Sequence, residues 1–131
     1  MSSPEKLPLA RGREEVRAAR ALLEAGFPSQ AVSHAYMAGF QAATAALRAI
    51  GEAPATSTGV LSAFSRHVVG DGGVDHEDGR ILRKLFEDRS YVDHALGQAP
   101  QQEAQEAVSS AERLVDATAR WIEGRPDPRS S

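Results

Sequence analysis

A chain of 131 residues with a formal net charge of −3 has room for one domain and can bury a sizeable core. It contains no cysteine, which excludes a disulfide framework, a thiolate metal site and a cysteine nucleophile, and suits a reducing compartment. Acids outnumber bases and lysine occurs only at Lys6 and Lys84, so a broad basic surface is excluded: no DNA contact is expected, and any RNA contact is expected to be local, within a cleft.

The opening MSSPEKLPLARGREE has no apolar run, and no stretch approaches about 18 consecutive apolar residues. Neither a secretory leader nor a membrane span is expected, and a cytoplasmic location is. Residues 1–8 read as a flexible N-terminus. A first helix is expected over Leu9–Ala25, with Val16, Ala19, Leu22 and Leu23 inward and Gly26 as a left-handed stop. Ser29 then offers an N-cap to the second helix, SQAVSHAYMAGFQAATAALRAIG, where Val32, Tyr36, Phe40, Ala43, Leu47 and Ile50 recur at helical spacing. Its remaining positions are largely alanine, with Gly39 in the middle. Small residues on a second face let another helix approach, so this helix is expected to be central.

A short third helix is expected near Gly59–Val69, with Val60, Leu61, Phe64 and Val68 inward. GDGGVDHEDG, residues 70–79, reads as a mobile, solvated turn. A fourth helix follows over Arg80–Leu96, broken by Gly97 and Pro100. A fifth spans Gln101–Glu123 with Ala104, Val108, Ala111, Val115, Thr118 and Ile122 on one stripe. Residues 124–131 read as a disordered tail. No alternating pattern and no repeat interrupts this series. The predicted fold is all-α: an antiparallel up-down bundle of about five helices with a four-helix core, spanning residues 9–123.

Within LFEDRSYVDHAL, Arg89 sits between Phe86 and Val92 on the apolar face formed by Ile81, Leu82, Leu85, Phe86, Val92 and Leu96. An unpaired guanidinium there is costly unless it serves a partner or a ligand. His94 follows five positions later, roughly 140° around a straight helix, so two copies of the helix facing each other would aim both groups at one cleft more readily than one copy. The plain alternative pairs Arg89 with Glu87, Asp88 or Asp93 and leaves His94 on the surface near a helix end.

Other residues invite weaker readings. Tyr36 and His34 could line the same cleft, although a half-exposed packing role suits His34 and a core role suits Tyr36. Arg80, Arg83 and Lys84 share a helix face and could guide RNA, or simply form a solvated face; His67 beside Arg66 stands the same way. Asp71, Asp75, His76, Glu77 and Asp78 do not follow the spacing of a calcium loop, and no metal is expected. There is no H-E-x-x-H, G-x-S-x-G, Walker loop or dinucleotide fingerprint, and no cofactor is expected.

Four segments together resemble the HEPN family, in its small single-domain prokaryotic branch, over roughly residues 10–122: ALLEAGFPSQA, AVSHAYMAGFQAATAALRAIG, STGVLSAFSRHVV and LFEDRSYVDHAL. The last matches the family's R-x4–6-H motif in spacing and location. The resemblance implies a homodimer with two motifs meeting at its interface. It also implies metal-independent ribonuclease activity, often as the toxin paired with a minimal nucleotidyltransferase antitoxin, or else a non-catalytic module that binds nucleotide or RNA or docks such a partner. Carried onto this chain, Arg89 and His94 would be catalytic: Arg89 would hold the scissile phosphate, and His94 would move a proton at the ribose 2′-hydroxyl or the leaving 5′-oxygen. Tyr36, Arg83, Ser90 and Asp93 would surround the substrate. Ser90 stands where many members have Asn or Asp. Leu96 stands where toxins controlled by tyrosine modification have their tyrosine, so that control is not expected. RSYVDH also places His94 where a related branch, R-x-x-x-D-Y, has tyrosine. Its imidazole is thus either a catalytic group or a replacement for that tyrosine.

Overall fold

The computed structural model describes residues 3–70, 72–94 and 99–125, with the side chains of 93 and 94 outside that description. Five helices make up the described residues: α1 (Lys6–Glu24), α2 (Pro28–Ala49), α3 (Ser57–His67), α4 (His76–His94) and α5 (Gln101–Glu123). No strand occurs among them, so the fold is an all-α bundle, and no helix is long and apolar enough to cross a membrane.

The directions follow from cross-helix contacts. On α1 and α2, Glu15 meets His34 while Gly12 lies against Ala38, so the two run antiparallel. Tyr36 meets Arg89, and Gly39 meets Leu85 and Leu82, which makes α2 and α4 antiparallel. Arg13 reaches Asp116 and Arg20 reaches Glu112, so α1 and α5 are antiparallel too. That leaves α2 and α5 parallel across the bundle's diagonal, where Ser29 meets Ala99 just before α5 and Gly39 faces Leu114. A close diagonal requires small side chains on both helices. Ala35, Ala43, Ala104 and Ala111 are all buried, while Ala38 and Ala42 lie against Gly12 of α1.

Gly39 shows how tight this centre is. A Cβ at that position would lie 2.9 Å from Leu85 Cδ1 and 3.4 Å from both Leu114 Cδ2 and Leu82 Cδ1. The hydrogen side chain therefore lets α4 and α5 close on α2. As the alanine pattern predicts, α2 touches every other helix. Two apolar clusters flank it. One gathers Val16, Val32, Tyr36, Leu85, Val108 and Val115; the other gathers Leu47, Phe64, Val68, Val74, Leu82 and Leu114. Complete burial of Phe64 or Leu47 contributes about 2 kcal/mol each.

Several boundaries shift from expectation for local reasons. α1 begins at Lys6, with buried Pro8 in its first turn, where a missing N–H costs nothing. α2 begins at Pro28 for the same reason, and Ser29 does not cap it. Instead Ser29 Oγ accepts from the Ala99 amide at 2.9 Å and ties the start of α2 to the approach of α5. α3 starts two residues early because Thr56 caps it, accepting from the Gly59 amide at 3.0 Å.

The largest shift is in α4, which starts at His76 rather than Arg80. Residues 70–79 are therefore not one solvated turn. Val74 is buried and bridges Val69, with its amide donating to Val68 O at 2.8 Å. Glu77 and Asp78 occupy the first helical turn, where the helix dipole favours acids. Asp78 is buried and accepts from Arg113 Nε of α5 at 2.6 Å. α5 has the predicted bounds. The assigned tail beyond 125 and residues Leu96 and Gly97 lie outside the described residues.

Candidate active site

Arg89 lies on the face of α4 that meets α2, as its place in the apolar stripe predicts. Its guanidinium carbon stands 5.0 Å from the centroid of the Tyr36 ring, and Nη1 donates to the Met37 sulfur at 3.6 Å. A cation over an aromatic face gains about 0.5–2 kcal/mol, more as water is excluded. The ring contact, made through the face of the guanidinium, also restrains its plane.

Tyr36 is itself rigidly placed. It is 3 % exposed and packs against Phe40 and Phe86 with both centroid distances 5.9 Å, the second edge-to-face. Burial pushes its phenol above the ordinary value of 10.0; a hydrogen bond with the Ser57 hydroxyl and the positive charge of Arg89 pull back in part. The phenol is neutral at physiological pH and cannot neutralise the guanidinium. It serves as a platform, with its hydroxyl aimed at the start of α3.

The other predicted residues divide. Ser90 is half-buried beside Arg89. Asp93 and His94 are the last two residues of α4, and their side chains lie outside the described residues. Along the helix axis His94 is about 7.5 Å beyond Arg89. Arg83 is exposed and six residues before Arg89, roughly 120° away around the helix, so it does not join the Tyr36 platform. His34 also leaves the cleft: its Nδ1 pairs with Glu15 Oε2 of α1 at 2.6 Å, the half-exposed packing role expected of it. Lys84 is held by Asp88 at 2.9 Å, and this contact raises its pKa. Met37 and Ser57 were not foreseen. Met37 follows Tyr36 directly, but only the α2–α4 register brings its sulfur to Arg89.

On its opposite flank α4 forms a different surface with α5. A cleft of about 690 Å³ there has Ile81, Leu85 and Ala107 on its floor and Glu77, Glu87, Asp88, Glu103 and Glu106 among its polar walls. Tyr91, 62 % exposed, stands at its edge. So dense a set of carboxylates repels a phosphodiester. The α2–α4 face is the one on which α4 offers a cation braced by a ring.

The profile of the HEPN domain matches residues 6–121, nearly the whole of the five-helix bundle. The chain belongs to the HEPN domain family. Two relatives agree with that placement. A UPF0332 protein of Thermotoga maritima is 32 % identical over 114 residues, covering 86 % of this chain and 86 % of its own. A protein of Methanocaldococcus jannaschii, named "Putative toxin", is 31 % identical over 103 residues, covering 79 % of this chain and 77 % of its own. In this HEPN chain residues 85–94, LFEDRSYVDH, form the second half of α4.

Proposed function

We propose that this HEPN chain is a metal-independent endoribonuclease, the toxin half of a toxin–antitoxin pair, acting as a homodimer. The observation that carries the reading is Arg89: an arginine on an otherwise apolar helix face, braced by the buried Tyr36 ring, at the first position of an R-x4-H spacing. The "Putative toxin" relative supports the biological role. Two α4 helices facing each other across a twofold axis would supply two Arg89/His94 sets to one cleft. A minimal nucleotidyltransferase would be the antitoxin.

The chemistry is in-line transesterification. The ribose 2′-oxygen loses its proton and bonds to phosphorus; the bond from phosphorus to the 5′-oxygen breaks, and that oxygen takes up a proton. The products are a 2′,3′-cyclic phosphate and a 5′-hydroxyl. Arg89 binds the non-bridging oxygens and stabilises the charge that grows on them. An imidazole can give or take a proton at neutral pH, so His94 would act as base in one copy and acid in the other. Ser90 and Asp93, beside Arg89 and His94, would position the RNA strand, and Tyr36 would position Arg89.

The test is RNA incubated in EDTA with wild type, Arg89→Ala and His94→Ala, followed by analysis of 3′ ends. Cleavage that survives EDTA, leaves cyclic phosphate ends and disappears in both variants is the expected result. Equal cleavage in the variants overturns it. No cleavage by the wild type favours the second reading, a non-catalytic HEPN module that binds nucleotide or RNA or docks a nucleotidyltransferase. The observation behind that reading is His94 at the tyrosine position of R-x-x-x-D-Y.

A further inference from the structure

His76, Arg80 and Arg83 stand at i, i+4 and i+7 on α4, within roughly 60° of one another around the helix, so they share one ridge. That ridge faces α3. With Ser65 of α3 it lines a cleft of about 110 Å³, about the space of three or four waters. None of the described residues lining it is an acid. In a chain of net charge −3, a cleft whose described lining residues include two guanidiniums, an imidazole and a hydroxyl but no carboxylate stands apart from the acidic α4–α5 cleft.

Close backbone packing shapes this cleft. A Cβ at Gly79 would lie 2.6 Å from Val69 Cγ2, so the first turns of α4 press against the end of α3 with nothing between them. The imidazole of His76 lies beside Gly70 of the connecting turn. Two neighbouring acids are drawn elsewhere, Asp78 accepting from Arg113 at 2.6 Å and Glu77 lying 4.0 Å from the same guanidinium, and Asp75 and Glu87 do not line the cleft. Arg13, Arg20, Lys84 and Arg113 each hold a carboxylate, whereas among the described residues His76, Arg80 and Arg83 hold none. Arg80 also lines the acidic α4–α5 cleft, so Arg83 and His76 weigh most.

We propose that the α3–α4 cleft is a phosphate-binding site, with Arg83 and Arg80 on the phosphate oxygens and His76 and the Ser65 hydroxyl completing the shell. The phosphate belongs to a nucleotide or to a nucleic-acid backbone; both present the same tetrahedral oxyanion. The site is separate from Arg89, which stands nine residues beyond Arg80, roughly 180° around α4 and about 13.5 Å along it. Its existence does not depend on RNA cleavage.

Titration of the isotopically labelled full chain, followed by amide NMR shifts, tests the site. The probes are inorganic phosphate, uridine 5′-monophosphate and a short single-stranded RNA, with sodium chloride at matched ionic strength as the control. Saturable shifts centred on Ser65, His76 and Arg83 are expected with the phosphate probes and not with chloride. The tightest of the three identifies the source of the phosphate. Arg83→Gln is expected to weaken binding about tenfold, the loss of one charge-assisted hydrogen bond. Ser65→Ala is expected to weaken it about threefold, the loss of a neutral one. Both residues are exposed, so the fold survives these changes, as circular dichroism would verify. Absence of saturable shifts at these residues, equal shifts with chloride, or undiminished binding by Arg83→Gln overturns the proposal.

Discussion

Arginine meets its neighbours on two sets of terms in this molecule. Along the α1–α5 seam, Arg13 and Arg20 reach Asp116 and Glu112, and all four side chains are between 43 % and 48 % exposed. Water competes for those charges, and each pair contributes little. On the α2–α4 face, Arg89 lies over a buried ring and against a thioether. The seam pairs cancel charge at the surface. The ring contact places the guanidinium on a buried, uncharged platform.

The sharpest way to break this comparison is to remove the oriented cation. Arg89→Ala is expected to lower RNA cleavage by at least about a hundredfold, the cost of losing one preorganised oxyanion contact, with little change in melting temperature. Tyr36→Phe keeps the ring and should retain most activity. Tyr36→Leu removes the platform and should lower the rate by about tenfold while Arg89 is still present. If Arg89→Ala cleaves like wild type, the two kinds of arginine do not differ in function.

A second test concerns the other anchor of α4. Asp78 is buried while its partner Arg113 is half in water, so Asp78→Ala is expected to cost about 1–2 kcal/mol in denaturant unfolding, below the cost of a fully buried pair. The third test uses pH. The folded state holds the Tyr36 proton more tightly than the unfolded chain does. The stability this provides is complete below pH 10.0 and is lost as pH rises from there through the raised folded value. Alkaline unfolding should therefore steepen above that pH in wild type and less so in Tyr36→Phe. The smallest effect belongs to the seam: Arg20→Ala is expected to change stability by a few tenths of a kcal/mol, a change that salt reduces further. A loss at Arg20 equal to that at Asp78 would remove the distinction.

Much of this architecture was legible in the sequence because it is local. Five helical periodicities, the predicted bounds of α5 and the small-residue surface of α2 follow from side-chain size and spacing. Arg89 stood out because it interrupts an apolar stripe. The start of α4 was not legible. Gly70, Gly72, Gly73 and Gly79 read as one loop, but Gly79 lies inside α4, where its missing Cβ leaves room for Val69. Ser29 looked like a cap because caps are local, whereas its actual partner, the Ala99 amide, is 70 residues away.

The division has a physical basis. The sequence by itself determined which segments are helical, which faces are apolar and that one of those faces carries an arginine, because these depend on neighbours within a turn or two. Only the tertiary structure decided what each polar group meets: Tyr36 beneath Arg89, Glu15 beside His34, Arg113 on Asp78, and Ser65 across from Arg83. Those partners depend on the register between packed helices, which Gly39 and the alanines of α2 set by allowing α4 and α5 to close on α2.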